Sequence, residues 1–505
     1  MRTSFFVPLT FVVLAGIVPR PVGAQQVEAS SVDAPSLLIL QMADGRFFHP
    51  PTGTLGASAA EVRRLVLGES AEEVQEDEVP TLPQAPVDGL VRAMERARTH
   101  IQQMIANDPQ GAVSASFRQT PEWRSVVAAV WNTVTDEIEY VAFEHSGTKI
   151  RGNASNLPLA LIRSNGVNSE IVVSGSETHR VIALRYPILE AVPGASGTFR
   201  FRDVAYTPYS RAVHTPAIIA EGEAYLDALV SAVLAQLRTD GIRSRAFPDR
   251  LLADVVDPAM MKSIAAIEHS DEYALERSPT STLERFFVIL GTNKGDSFNY
   301  ARSSAGALGL VQFIPSTYRA LAARSEWNLQ QSFDDAMRNH QNAMRAQAIY
   351  IDTLLLEFPK TLRDTYLEDP IKAGEYIVAA YNGGSGRVRR AVSVSWEKIL
   401  SGEKTRELEG LRKKYTAAFN LAESLRQQTL KEKNKTKRAA LQKKLDAQRV
   451  VYRGLLAEVQ KLEAAILRKE TIGYVEKYRL TKADDRFLHR PSALDVLVQP
   501  AAFQP

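Results

Sequence analysis

Two long stretches of one rhythm, separated by seven polar residues, constrain this chain more than any other feature. Leu408, Leu411, Tyr415, Ala418, Ala422, Leu425 and Thr429 fall three and four residues apart. So do Leu441, Leu445, Gln448, Tyr452, Leu455, Val459, Leu462 and Ile466. Such spacing places each set on one face of a helix. Between them lies Lys431-Glu432-Lys433-Asn434-Lys435-Thr436-Lys437, polar and turn-like. The pattern predicts an antiparallel coiled-coil hairpin over residues 403–469, basic in charge, with arms of roughly 40 Å.

At 505 residues the chain is long enough for two to four domains. Apolar residues at 45% and charged residues at 24% are ordinary for a globular protein, and a net charge of +3 gives no argument for a nucleic-acid partner. Cysteine is absent, which excludes disulfides, zinc–thiolate sites, a thiol nucleophile and lipid attachment through cysteine. Met1-Arg2 precedes an uncharged run from Thr3 to Pro19, and Val22-Gly23-Ala24 offers a small-residue cleavage site. Residues 1–24 therefore read as a secretory signal peptide, which places the mature protein in a bacterial periplasm or outside the cell. An uncleaved anchor is the alternative, opposed by Pro8 and by the shortness of the apolar run. No later segment has the apolar length of a transmembrane helix.

The predicted organisation is mainly α. Residues 25–89 form an N-terminal segment ending in an acidic, proline-bearing linker. Residues 90–250 read as an α+β accessory domain to which the pattern assigns no function. It holds a helix from Leu90 to Ile105, strands at Leu159–Arg163, Glu170–Ser174, Val181–Tyr186 and Thr198–Tyr206, and a helix from Ala220 to Leu237. Residues 251–402 plus 470–490 form a helical catalytic domain interrupted by the 403–469 hairpin, and 491–505 is a tail.

Glu268 is the candidate catalytic residue. Asp257 is a natural N-cap and Pro258 fits a first helical position. Met261, Ile264, Ala265 and Glu268 then stand at i, i+3, i+4 and i+7, which puts the carboxyl on an apolar face. Burial there, together with the negative end of the helix dipole, disfavours ionisation, as a general acid at neutral pH requires. A glutamate that ends a helix and points to water is the plainer alternative.

Two further segments follow in order. Ser303-Ser304-Ala305-Gly306-Ala307-Leu308-Gly309-Leu310-Val311-Gln312 is glycine-dense and apolar, and Gly306 and Gly309 allow close backbone approach. Gln312 is expected on a short helix stopped by Pro315. Ala380-Tyr381-Asn382-Gly383-Gly384 ends another helix. Its tyrosine hydroxyl and asparagine amide are expected beside Glu268.

This series resembles the soluble lytic transglycosylases, whose order is a catalytic Glu at a helix end, Ser-x-x-Gly-Ala-x-Gly-Leu-x-Gln, Ala-Tyr-Asn and Glu-Thr-x-x-Tyr-Val. The chain supplies the last as Glu470-Thr471-Ile472-Gly473-Tyr474-Val475, beyond the hairpin, while Asn342 to Tyr350 loosely resembles a further family segment. The resemblance implies a lysozyme-like catalytic domain that cuts the bond between N-acetylmuramic acid and N-acetylglucosamine in peptidoglycan strands. It implies Glu268 as acid and then base, a 1,6-anhydromuramyl product, substrate binding by Ser303, Gln312, Tyr381 and Asn382, and no cofactor or metal. The eight histidines show no ligand spacing.

Two departures keep other readings open. Asp271 stands where the family usually has an aromatic, and as a second carboxylate it could place water for lysozyme-like hydrolysis. The gap from Glu268 to Gly306 is also stretched, and residues 275–299 are expected as a lid or an additional helix over the cleft. A non-catalytic wall-binding scaffold whose coiled coil recruits a protein partner is the third reading.

Overall fold

The computed structural model describes residues 40–41, 47–48, 87–107, 115–116, 123–152, 156–191 and 198–488. The predicted signal peptide, nearly all of the acidic linker and the tail lie outside them. The chain divides into two compact units, Met1–Thr81 and Leu82–Pro505. In the first, β1 (Leu40–Gln41) pairs antiparallel with β2 (Phe47–Phe48).

The second unit is mainly helical and opens with α1 (Val87–Asn107). An antiparallel sheet follows, in the spatial order β3 (Ala115–Ser116), β10 (Thr198–Tyr206), β9 (His179–Ala191), β4 (Arg124–Asn132), β5 (Ile138–Ser146) and β6 (Lys149–Arg151). A separate hairpin of β7 (Leu159–Arg163) and β8 (Glu170–Val173) covers one face. Alternation along β4 sorts the two faces. Val126, Ala128 and Val130 pack under the β7–β8 hairpin, while Ala129 and Trp131 join a core with Leu90, Ala93 and Ala97 of α1. The central strand β9 is covered on both sides, so Val181 to Pro187 is buried without alternation. The sequence pattern revealed β7 to β10 and missed β4 and β5. Glu139, Glu144 and His145 interrupt β5 with polar residues that only the sheet's burial pattern explains.

The core containing Trp131 continues without a break into the helices. Thr215 caps α2 (Pro216–Thr239), which crosses α5 (Pro279–Asn293) back to back. Two glycines permit this: a Cβ on Gly222 would lie 1.9 Å from the Phe287 carbonyl oxygen, and one on Gly291 would lie 2.2 Å from that of Ile218. The segment expected as a lid or an additional helix over the cleft is thus a helix, with Leu283, Phe286, Phe287, Val288 and Leu290 buried in the core.

The remaining elements accompany α8 (His340–Glu357), most of whose residues are buried. They are α3 (Pro258–Glu268), α4 (Glu272–Arg277), α6 (Pro315–Ala322), α7 (Phe333–Arg338), α9 (Lys360–Glu368), α10 (Pro370–Gly383), α11 (Ser385–Val394) and α12 (Trp396–Leu400), joined later by α15 (Lys469–Lys482) and α16 (Asp485–Leu488). An Asp-Pro pair starts both α3 and α10: the aspartate accepts a backbone N–H and proline fills a position needing no donor.

Between α12 and α15 the chain leaves as α13 (Glu403–Lys431) and returns as α14 (Lys435–Glu463). The two helices pack along their length, with Leu408, Ala418, Ala422, Leu445, Val459 and Leu462 in the seam. Asn434 caps α14 by accepting from Thr436 and Lys437 N–H. Arg390 and Arg387 of α11 donate to the Ala464 and Ile466 carbonyls and fix the base of the hairpin.

The crossing of α2 and α5 should be the least forgiving contact of this core. Gly222→Ala or Gly291→Ala should lower unfolding free energy by about 2 kcal/mol or more in chemical denaturation. Gly410→Ala, in open space on α13, should instead raise it by up to about 1 kcal/mol.

Candidate active site

Helix α3 ends on Glu268 because His269 leaves helical geometry, and Lys477 of α15 completes the end. Its Nζ donates to the carbonyls of Ile267 (2.6 Å) and Ser270 (2.9 Å), a cation placed at the negative end of a helix. One turn earlier on α15, the buried Tyr474 donates its hydroxyl to Glu268 Oε1 at 2.7 Å. The other oxygen, Oε2, has no hydrogen-bond partner among the described residues. Burial pushes the Glu268 carboxyl up to about 7, against the opposing pull of the Tyr474 hydrogen bond and the Lys477 charge. Tyr474 itself is held well above the usual phenol range by burial and by the neighbouring carboxylate.

The glycine-dense segment is a folded-back loop. Ser303 and Ala307 exchange backbone hydrogen bonding through Ser303 N–H (2.9 Å), and Ser303 Oγ accepts from Ala307 N–H (3.0 Å). Gly306 turns the chain at φ +80°, and Gly309 (φ +77°) lies so near Met337 that a Cβ would come 2.3 Å from its carbonyl oxygen. Gln312 is not on a helix. It adopts φ +48°, and its Nε2 donates to the carbonyls of Ala301 (3.0 Å) and Gly309 (2.8 Å), closing the loop on itself. Pro315, expected to stop a helix, begins α6 instead, where its missing N–H costs nothing.

Carbonyls of this loop meet the other two segments. Leu310 O lies 3.0 Å from His269 Nε2, and Val311 O accepts from the Tyr381 hydroxyl at 2.9 Å. The Tyr381 ring packs against Tyr350 and Phe313. Asn382 is exposed, and its Oδ1 accepts from Thr471 Oγ1 at 3.0 Å. The carboxyl's hydrogen-bond partner is therefore Tyr474, where the sequence reading placed Tyr381 and Asn382. Tyr474 sits in the fourth motif, which was visible in the sequence, although nothing local marked it as the residue that reaches Glu268.

His269 and Asp271 have structural employment. His269 stacks on Phe298 with ring centres 3.9 Å apart, and burial drops its pKa to about 3, so it is neutral. Asp271 is the N-cap of α4, accepting from Ala274 N–H at 2.9 Å. A carboxylate group that could chelate a cation is formed by Glu272, Glu276 and Glu476, with oxygens within 4.8 Å of one another. None of the three lines the cleft at Glu268.

That cleft encloses about 820 Å³. Glu268, His269 and Asp271 lie at its lining together with residues of α4 and α5, the 298–302 segment, Tyr209 and the 163–168 turn between β7 and β8. Ser303, Gln312, Tyr381 and Asn382 are not part of that lining. They gather around the loop and the end of α10.

Residues 297–399 match the family model of the transglycosylase SLT domain. Over these residues the chain is similar to the SLT domain. The match spans the glycine-dense loop and the Tyr381 segment and leaves Glu268 before it and Tyr474 after it. An SLT domain supports peptidoglycan lytic transglycosylase activity, with peptidoglycan as substrate. No curated protein and no solved structure matches the chain.

Two measurements test the state of Glu268. Tyr474→Phe removes a hydrogen bond that favours the carboxylate, so the Glu268 pKa should rise above about 7 in a carbon-13 NMR titration; an unchanged or lower value contradicts this account. A glutamate whose folded pKa is raised above about 4.5 lowers stability as pH climbs through that window. Glu268→Gln should thus match the wild type in unfolding free energy at pH 4 and exceed it at pH 8, by up to about 3 kcal/mol.

Proposed function

We propose that this protein is an exported lytic transglycosylase that cleaves the β-1,4 bond between N-acetylmuramic acid and N-acetylglucosamine, leaving 1,6-anhydromuramyl ends. The observation that carries the reading is Glu268 at the cleft, its Oε1 fixed by the Tyr474 hydroxyl and its carboxyl pushed by burial up to about 7. In the first half-reaction Glu268 gives its proton to the glycosidic oxygen while the muramyl C1–O bond breaks. The resulting carboxylate then takes the proton of the C6 hydroxyl as O6 bonds to C1. The proton count closes on a single carboxyl, and no water is consumed. Tyr474 stabilises the carboxylate between the two steps, and Lys477, 5.6 Å from the Tyr474 ring centre, adds a positive field. Ser303 and Gln312 keep the loop in shape, and Tyr381 ties it to α10, with Asn382 offering its amide to the sugar. Export rests on the sequence of residues 1–24, and the peptidoglycan-facing compartment follows from the substrate.

Asp271 favours this route over hydrolysis. Its Oδ1 is committed to the start of α4 and the side chain is exposed, which suits a capping residue better than a carboxylate that orients water. Mass spectrometry of sacculi digested by the full chain separates the alternatives. Anhydromuramyl products are expected, and Glu268→Gln should reduce their release by at least about 100-fold. Reducing-end products would indicate a hydrolase, and undiminished release by the variant would remove Glu268 from the chemistry.

A further inference from the structure

The far part of the Glu268 cleft is lined by three arginines, two of which make no ion pair among the described residues. Arg163, at the end of β7, is exposed and makes no ion pair among the described residues. Arg277, at the end of α4, donates to the Tyr273 hydroxyl and pairs with no carboxylate among the described residues. Arg285 of α5 lies flat on Tyr209, its guanidinium carbon 3.9 Å from the ring centre. Its Nη1 forms a loose ion pair with Glu170 at 3.8 Å, beyond hydrogen-bond reach, and its buried Nη2 has no hydrogen-bond partner among the described residues. All three arginines line one space. The first turn of α5 adds to the same field. Its N-cap, Ser278, makes no side-chain capping bond, and Ser278 and Ser281 face the cleft, where the positive end of a 15-residue helix lies.

An unpartnered buried guanidinium nitrogen and an uncapped helix start would both be satisfied by an anion with planar, paired oxygens. The substrate brings such groups. Peptide stems hang from the lactyl ether of the muramyl ring whose glycosidic oxygen Glu268 would protonate, and they carry free carboxylates. We propose that Arg163, Arg277 and Arg285 form a carboxylate-recognition subsite for the peptide stem, so that stem-bearing strands are preferred over stripped glycan. The proposal rests on the transglycosylase reading for the identity of the ligand. It assigns the β7–β8 hairpin a role in specificity, because Arg163 reaches the cleft from that hairpin.

Calorimetric titration of the full chain tests it with two ligands, GlcNAc-MurNAc-tetrapeptide and GlcNAc-MurNAc. Neither contains the MurNAc–GlcNAc bond, so both remain intact. The tetrapeptide form should bind about tenfold more tightly. Arg163→Gln/Arg285→Gln should bring the two affinities within about twofold of each other, and the surface pair Arg163→Gln/Arg277→Gln should reduce the difference in the same direction if loss of Arg285 impairs folding. Equal affinities in the wild type, or a difference that survives in both variants, overturn the subsite. Arginine-dependent binding of inorganic phosphate with no discrimination between the two muropeptides also overturns it, in favour of a general anion site. The two readings fail separately: discrimination without anhydro products from sacculi rejects the transglycosylase, and anhydro products without discrimination reject the subsite.

Discussion

The docking of α15 on the end of α3 is the contact on which the site depends. A carboxyl at the C-terminal end of a buried helix meets desolvation and an unfavourable dipole together. Left alone it would be neutral over most of the pH range and could not act as a base. Lys477 caps the carbonyls of that helix end, and Tyr474 holds Oε1 from the same face of α15. These favourable terms offset part of the burial, and the balance leaves the carboxyl near 7. The first turn of the same helix pins the end of α10 through Thr471 and Asn382. One 14-residue helix thus sets both the proton affinity of Glu268 and the position of the Tyr381 segment.

The sheet is bound to this arrangement through a shared interior. Trp131 and Ile182 belong to the same buried cluster as Met261 and Ile264 of α3. The glycine crossing of α2 and α5 brings the two backbones together, and α5 begins beside the cleft. With a larger residue at either crossing point, α5 would move away and carry Arg285 and Phe286 with it. The β7–β8 hairpin then closes the opposite wall. The region whose pattern had suggested no role therefore contributes surface to the cleft that contains the Glu268 carboxyl.

Much of this was legible in the residues. The 3.6-residue rhythm of the hairpin, the Asp257-Pro258 helix start and the apolar face bearing Glu268 are local properties, and the structure contains each of them. What could not be read depends on residues distant in sequence. Tyr474 is 206 positions from Glu268, and no local spacing signals that pair. His269 has polar neighbours in sequence, yet Phe298 and Phe286 stack against it in the fold. Gln312 was assigned to a helix from its proximity to Pro315, but glycines on either side of Leu308 favour a loop, and the side chain satisfies backbone carbonyls that a helix would have used. The stretched segment, read from its unusual length, left a lid and an additional helix equally open. Its buried phenylalanines belong to the core, which only the partner helix α2 reveals.

The hairpin has a consequence for how this molecule can vary. It departs after α12 and returns at α15, both anchored at one base by Arg387, Arg390 and the Leu408–Val459–Leu462 cluster. Matched deletions or additions in α13 and α14 would move its tip by about 10 Å per seven residues without changing where the chain re-enters the core. Reach and chemistry are thereby separate variables: one chain can hold a fixed reaction centre and an adjustable spacer, and the length of the second can drift while the first stays constant.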